Sequence, residues 1–245
     1  MNYQEYRYTK KEFITYLSYG LILSSLLAYL FYQSIIAVIL FSPFSIVYMK
    51  QKRLQLIEKR KWQLNLEFRE GILCLSAALN AGYSIENAFV EAIKDLRMMF
   101  SDHSYIIPEF EYITQQIKMN VTVEEALKEL ALRSEVEDIS NFSEVFSTAK
   151  RTGGDIIKII RVTGKNIGDK IEIKREIQTL ITAKKLEARV MNIIPFGMIV
   201  YLWVSSPGFL DPLYHNFIGI TIMSFALLLY YFAYRLSEKI INIQV

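Results

Sequence analysis

Three stretches of this chain contain no Asp, Glu, Lys or Arg: residues 13–49, 190–210 and 212–234. No other feature constrains the fold as much. A helix needs about 20 apolar residues to cross ~30 Å of hydrocarbon, where water cannot satisfy exposed backbone groups. Residues 50–189, by contrast, hold 44 of the 53 charged residues. The chain therefore reads as a multi-pass membrane protein with one charged, water-facing block between two apolar ends.

Other classes fall away. Cys74 is the single cysteine, so no internal disulfide can form. It sits in the apolar run Ile72-Leu73-Cys74-Leu75, which suits a packed thiol in a reduced compartment rather than a nucleophile. A net charge of +3, with no basic stripe interleaved with aromatics, argues against nucleic acid as a partner. Ten glycines and five prolines are too few for a disordered or fibrous chain. The first apolar run is too long for a secretory signal and has no A-x-A site before Lys50, so it is expected to stay in the mature protein.

The second and third runs each fit one crossing. Ser205-Ser206-Pro207-Gly208-Phe209-Leu210-Asp211-Pro212 between them is rich in turn residues and forms the tip of a hairpin. Lys184, Lys185 and Arg189 precede that hairpin and Arg235 and Lys239 follow it, so both of its ends are expected on the cytoplasmic side. The first run is long enough for a straight helix of roughly 55 Å at 1.5 Å per residue. Two tilted crossings, 13–31 and 34–49, turning near Tyr32-Gln33-Ser34, use that length. The rival is an interfacial start followed by one crossing, with the N-terminus outside. Lys50, Lys52, Arg53, Lys59, Arg60 and Lys61 make the following side cytoplasmic in either case, and Arg7, Lys10 and Lys11 favour a cytoplasmic N-terminus. The expected organisation is a cytoplasmic N-terminus (1–12), a transmembrane hairpin (13–49), a cytoplasmic helical domain (50–189), a second hairpin (190–234) and a cytoplasmic C-terminus (235–245).

Within 50–189 the apolar period is helical. A helix over about 54–81 ends at Gly82, which takes a left-handed cap at least cost. Ser84 caps a second, about 85–100. A polar break, Ser101-Asp102-His103-Ser104, leads to a third over about 107–119, with Pro108 in its first turn. Thr122 with Glu125 is a capping box that opens a fourth, about 123–134. A fifth, about 137–151, ends at Gly153-Gly154, and Asp155 caps a long helix that runs toward the membrane, with continuation into the third crossing as one reading. Gly82-Tyr83-Ser84-Ile85-Glu86-Asn87-Ala88-Phe89 and Asn120-Val121-Thr122-Val123-Glu124-Glu125-Ala126-Leu127 repeat one turn chemistry: a left-handed cap residue, a hydroxyl N-cap and an acid at the positive helix end.

No catalytic, cofactor-binding or metal site assembles from these residues. His103 and His215 fall in a polar loop and beyond the outer hairpin tip, on opposite membrane faces, and cannot share a zinc ion. Gly153-Gly154 leads into a helix N-terminus but lacks the Gly-Lys-Ser/Thr of a P-loop. The spans carry no ionisable residue of the kind a pump or channel places there. Two features point to binding instead. Gly164 and Gly168 make a narrow Gly-x-x-x-Gly face that packs inside the bundle or against another subunit. The same helix carries Lys158, Arg161, Lys165, Lys170, Lys174, Arg175, Lys184 and Lys185, a face for anionic lipid or for acidic patches on a partner.

Leu79-Asn80-Ala81-Gly82-Tyr83-Ser84-Ile85-Glu86-Asn87-Ala88 resembles the signature of type II secretion system F-domain proteins. So do Arg151-Thr152-Gly153-Gly154-Asp155-Ile156 and the run from Arg175 through Ala183-Lys184-Lys185-Leu186-Glu187-Ala188 to Ile193-Ile194-Pro195. One such domain between two apolar ends is similar to the TadB/TadC branch of the family. The resemblance implies a multi-pass inner-membrane (cytoplasmic membrane) platform of a type IV pilus-like machine. Its implied partners are a secretion ATPase, pilin or pseudopilin subunits, a sister platform protein or a second copy, and membrane lipid. The fold expected is all-α: four transmembrane helices in two hairpins flanking one antiparallel cytoplasmic bundle. Gly82, Ser84, Arg151, Gly153, Gly154, Gly164 and Gly168 are the candidate turn and interaction positions. A membrane sensor or transporter subunit with a ligand-binding helical domain is the alternative.

Overall fold

The computed structural model describes residues 3–6, 8–100, 104–206, 208–214 and 216–241. Arg7, Pro207, both histidines (His103 and His215) and Ser101-Asp102 of the polar break lie outside them. Regular structure among the described residues is helical throughout. In order, the helices are α1 (Lys10–Tyr32), α2 (Ile35–Phe41), α3 (Phe44–Asn80), α4 (Ile85–Met99), α5 (Ile106–Lys118), α6 (Val123–Ser134), α7 (Glu137–Thr152), α8 (Ile156–Ser205), α9 (Asp211–Tyr214) and α10 (Phe217–Ile241).

These helices form two compact units, one of Met1–Arg7 with Arg53–Ile173 and one of Tyr8–Lys52 with Lys174–Val245. The first is an up-down bundle. Short connections between amphipathic helices force neighbours to run antiparallel, so each apolar stripe meets the next. Leu64, Phe68, Ile72 and Leu75 on α3 recur at spacings of three and four and are buried with Phe89, Phe110, Leu127, Phe142, Phe146, Ile160 and Ile167. Edge-to-face rings tie the layers together, Phe68 on Phe142 at 5.4 Å and Phe89 on Phe110 at 5.1 Å. Tyr3 is part of this core, 1% exposed, although it precedes the first helix.

In the second unit Phe31, Leu210, Tyr214 and Met223 form a small apolar cluster with Phe196 against it. The Tyr214 hydroxyl donates to the Leu30 carbonyl at 3.0 Å, and Tyr230 donates to that of Asn192 at 3.1 Å. Most of the remaining apolar side chains point outward, among them Ile35, Ile36 and Phe217. Among the described residues, four helical stretches are long and apolar enough to cross a membrane: Lys10–Tyr32, Ile35–Asn80, Ile156–Ser205 and Phe217–Ile240.

The expected turn near Tyr32-Gln33-Ser34 is present, and two other local features differ from the sequence reading. The turn after α1 is made by Gln33 in the left-handed region, φ 44°, so neither glycine nor proline is needed there. The segment 34–49 is not one helix: α2 stops at Phe41, and Ser42-Pro43 interrupts before α3 begins, because Pro43 has no N–H to continue the ladder. Residue 50 marks no break, since α3 runs unbroken from Phe44 to Asn80. The long helix after Asp155 does continue through Pro195 to Ser205.

Candidate functional site

The turn signals singled out from the sequence gather at one end of the bundle. α3 and α8 run antiparallel, with the Arg161 guanidinium donating to Asn80 Oδ1 at 2.8 Å and Gly164 lying against Ile72. α6 and α7 are likewise antiparallel, and Lys150 pairs with Glu124 at 2.7 Å. The connections at Gly82-Tyr83-Ser84, Asn120-Val121-Thr122 and Gly153-Gly154-Asp155 therefore share that end.

All three use the same chemistry. Gly82 has φ +91°, Asn120 +65° and Gly153 +71°. Each left-handed residue turns the chain so that a following N–H can return to a carbonyl of the last helical turn. Tyr83 reaches Ala78 at 3.3 Å, Val121 reaches Gln116 at 3.0 Å and Gly154 reaches Ala149 at 2.8 Å. The next helix is then capped: Ser84 accepts from Asn87 N–H, Thr122 and Glu125 complete a capping box, and Asp155 accepts from Lys158 N–H at 2.9 Å. Of the glycine pair, only Gly153 needs its freedom. A Cβ on Gly154 would make an ordinary contact with Ala149. Tyr83, Ser84, Arg151 and Asp155 are exposed, so this end offers backbone turns, an aromatic ring and a cation to a partner.

Gly164 and Gly168 face α3. A Cβ at Gly164 would lie 3.1 Å from Ile72 Cγ2, and one at Gly168 would lie 2.8 Å from Arg69 Nε. The two glycines thus serve different neighbours, an apolar ridge and a guanidinium. A third close approach escaped the sequence reading: a Cβ on Gly71 would come 2.7 Å from the Phe110 ring. Part of the basic face of α8 is also engaged within the bundle. Lys170 pairs with Asp138 at 2.8 Å, which holds its ammonium pKa above the usual range, and Asn65 donates to the other Asp138 oxygen at 2.7 Å.

Two buried carboxylates fix the opposite end. Glu67 on α3 accepts from the N–H groups of Tyr105 (2.6 Å) and Ile106 (3.1 Å) and from Ser104 Oγ at 2.9 Å, so a residue of one helix caps the start of α5. Glu109, 2% exposed, meets Arg133 through both oxygens at 3.1 and 2.6 Å and accepts from the Tyr3 phenol at 3.0 Å. Burial, helped by the Glu109 charge, pushes the Tyr3 pKa well above its ordinary range and keeps the phenol a donor. The Tyr3 N–H and the Gln4 amide donate to the carbonyls of Arg133 and Leu132, both at 3.3 Å. Periodicity could not reveal this strap, because Tyr3 lies outside any helix and its partner is 106 residues away.

Among the described residues, no three His, Cys, Asp or Glu side chains stand close enough together to hold a metal ion. The arrangement is that of a packed helical bundle with an exposed turn end. Comparison with curated proteins and with solved structures gives no match. A family model described as Type II secretion system (T2SS), protein F, matches residues 72–204, a span from the last turns of α3 to the end of α8 that contains the three turns, Gly164 and Gly168. That match covers more than half of the chain, and the protein belongs to this family.

Proposed function

We propose that the protein is an inner-membrane platform of a type IV pilus-like (Tad/Flp) assembly or type II secretion machine. In this reading it is TadB/TadC-like and links a cytoplasmic secretion ATPase to pilin or pseudopilin subunits. The observation that carries the reading is the family match, which runs through the bundle and on into the third apolar run. One such domain flanked by two apolar ends is the TadB/TadC arrangement. The role is mechanical, without catalysis or cofactor: a scaffold that holds partners in register, alone, as a homo-oligomer or beside a sister platform protein.

The topology proposed is two hairpins, 13–49 and 190–234, with 1–12, 50–189 and 235–245 on the cytoplasmic side. The Tyr3 strap supports it. Tyr3 and Gln4 pack into the same unit as residues 53–173, so the intervening chain leaves that unit and returns to it. An even number of crossings satisfies this, whereas a single crossing would separate Tyr3 from Glu109 by a membrane. The basic residues at Lys10, Lys11, Lys50, Lys52 and Arg53 give the direction. The turn end with Gly82, Ser84, Arg151 and Gly153 and the exposed cations Lys158, Lys165 and Arg175 of α8 are the surfaces proposed for partners.

Crosslinked pull-down from detergent-solubilised membranes, with partners identified by mass, tests the proposal. A secretion ATPase and a short pilin-like protein are the expected partners. Recovery of a solute-binding protein or permease subunit in their place would overturn it.

A further inference from the structure

A cleft of about 460 Å³ opens at the end of the bundle opposite the three turns, lined by Tyr6, Lys59, Arg60, Gln63, Phe100 and Tyr105. Its size is that of a small-molecule site. Its electrostatics are unusual for this protein. Elsewhere in the bundle half-buried cations meet carboxylates: Lys61 on Glu135, Arg69 on Glu70, Arg133 on Glu109. Arg60 has no such partner. Its guanidinium lies 4.8 Å from the centre of the Tyr6 ring, and its Nε is buried without an acceptor among the described residues. Lys59, adjacent in sequence and on the same wall, likewise has no carboxylate partner among them. The acid in the wall, Glu67, is already occupied by Gln63, Ser104 and the N–H groups that start α5.

A guanidinium with its Nε buried and no counter-charge is only partly compensated, and its planar fork matches an oxyanion. Two neighbouring cations can grip two charge-sharing oxygens of one phosphate group at once. The cleft is also larger than a bare ion requires, and Tyr6, Phe100 and Tyr105 offer rings against which an apolar or planar body can lie. We infer that this cleft binds a phosphate-bearing ligand, with the phosphate between Lys59 and Arg60 and the rest of the ligand against the tyrosines. A nucleotide and a phospholipid headgroup both carry that chemistry.

The test uses the full chain in neutral detergent, titrated calorimetrically with ATP and separately with dihexanoyl phosphatidylglycerol below its micellar concentration. Dihexanoyl phosphatidylcholine is the zwitterionic control. Saturable binding of either anionic probe is expected, weakened tenfold or more in Lys59→Gln/Arg60→Gln and by less in Arg60→Lys, which keeps the charge but loses the fork. Whichever probe binds names the source of the phosphate. Neither cation has an ion pair to lose, so the variants should melt as the parent does, and a shared melting temperature makes the comparison one of binding alone. No saturable binding by either probe, or an unchanged Kd in the double variant, would overturn the inference.

Discussion

Replacing Gly71, Gly164 and Gly168 by alanine, one at a time, should separate three outcomes that sequence alone would treat as equal. Each substitution gains about 1 kcal/mol of helix propensity, since all three lie inside helices. What differs is the neighbour. At Gly71 the new methyl comes 2.7 Å from one Phe110 ring atom and 3.0 Å from the next. Phe110 is fully buried and braced by Phe89, and Ile106 Cγ1 stands 3.4 Å from the same methyl, so neither neighbour has easy room to retreat. With so little room to give way, overpacking costs the upper part of its range, about 2–3 kcal/mol, which less the propensity gain leaves a net loss of roughly 1–2 kcal/mol. At Gly164 the contact is 3.1 Å to Ile72 Cγ2, which a shift of a few tenths of an ångström relieves, and the two terms nearly cancel. At Gly168 the methyl meets the far end of Arg69, a flexible, partly exposed side chain, so the propensity gain survives. Thermal unfolding in one detergent should give melting temperatures in the order Gly168→Ala, Gly164→Ala, Gly71→Ala, highest first, with ~2–4 °C per kcal/mol. A Gly168→Ala variant as damaged as Gly71→Ala would refute the antiparallel register of α3 and α8.

Further expectations concern the buried polar groups. Tyr3→Phe should cost about 1 kcal/mol for the lost hydrogen bond to Glu109, and Tyr3→Ala about 3–4 kcal/mol once the ring is gone, read by denaturant unfolding. Glu67→Ala should cost about 1–3 kcal/mol by leaving three donors at the start of α5 unmet, and faster hydrogen exchange at Tyr105 and Ile106 would locate the loss. Burial, then Asp95 and Glu70, pushes the Cys74 thiol up to about 11. Alkylation at pH 8 should accordingly run roughly a hundredfold below that of the unfolded chain. Because folding disfavours the thiolate, the stability linked to Cys74 is full below the ordinary thiol range and is lost as the pH rises toward 11.

What the sequence made legible was whatever depends on near neighbours. Gly82, Ser84, Thr122-Glu125, Gly153 and Asp155 act through bonds spanning two to five residues, and the helix boundaries they imply agree with the structure to within a residue or two. The apolar runs were legible for the same reason, since a helix carries its own backbone hydrogen bonds. Contacts between distant residues were not. Gly71 has no special φ, and only the Phe110 ring across the bundle explains it. Glu67 and Glu109 carry no local signal of their roles, because their partners lie on other elements. Gly164 and Gly168 were flagged as a pair by spacing, yet spacing could not say that one meets an isoleucine and the other an arginine. Pro43 sits in an uncharged, largely apolar run, and composition says nothing about where a helix inside such a run must break.

The central claim is that both ends of the chain and the bundle share one face of the membrane, with only the second hairpin's tip reached from the other. Single cysteines placed in a Cys74→Ala background at Asn2, Lys158, Asp211 and Glu238 can be labelled in intact cells with a maleimide that does not cross the cytoplasmic membrane. The account predicts labelling at Asp211 alone, with the other three positions reacting only after the membrane is opened. Labelling at Asn2 in intact cells would put Tyr3 and Glu109 on opposite faces, reduce the first apolar run to one crossing, and contradict the account.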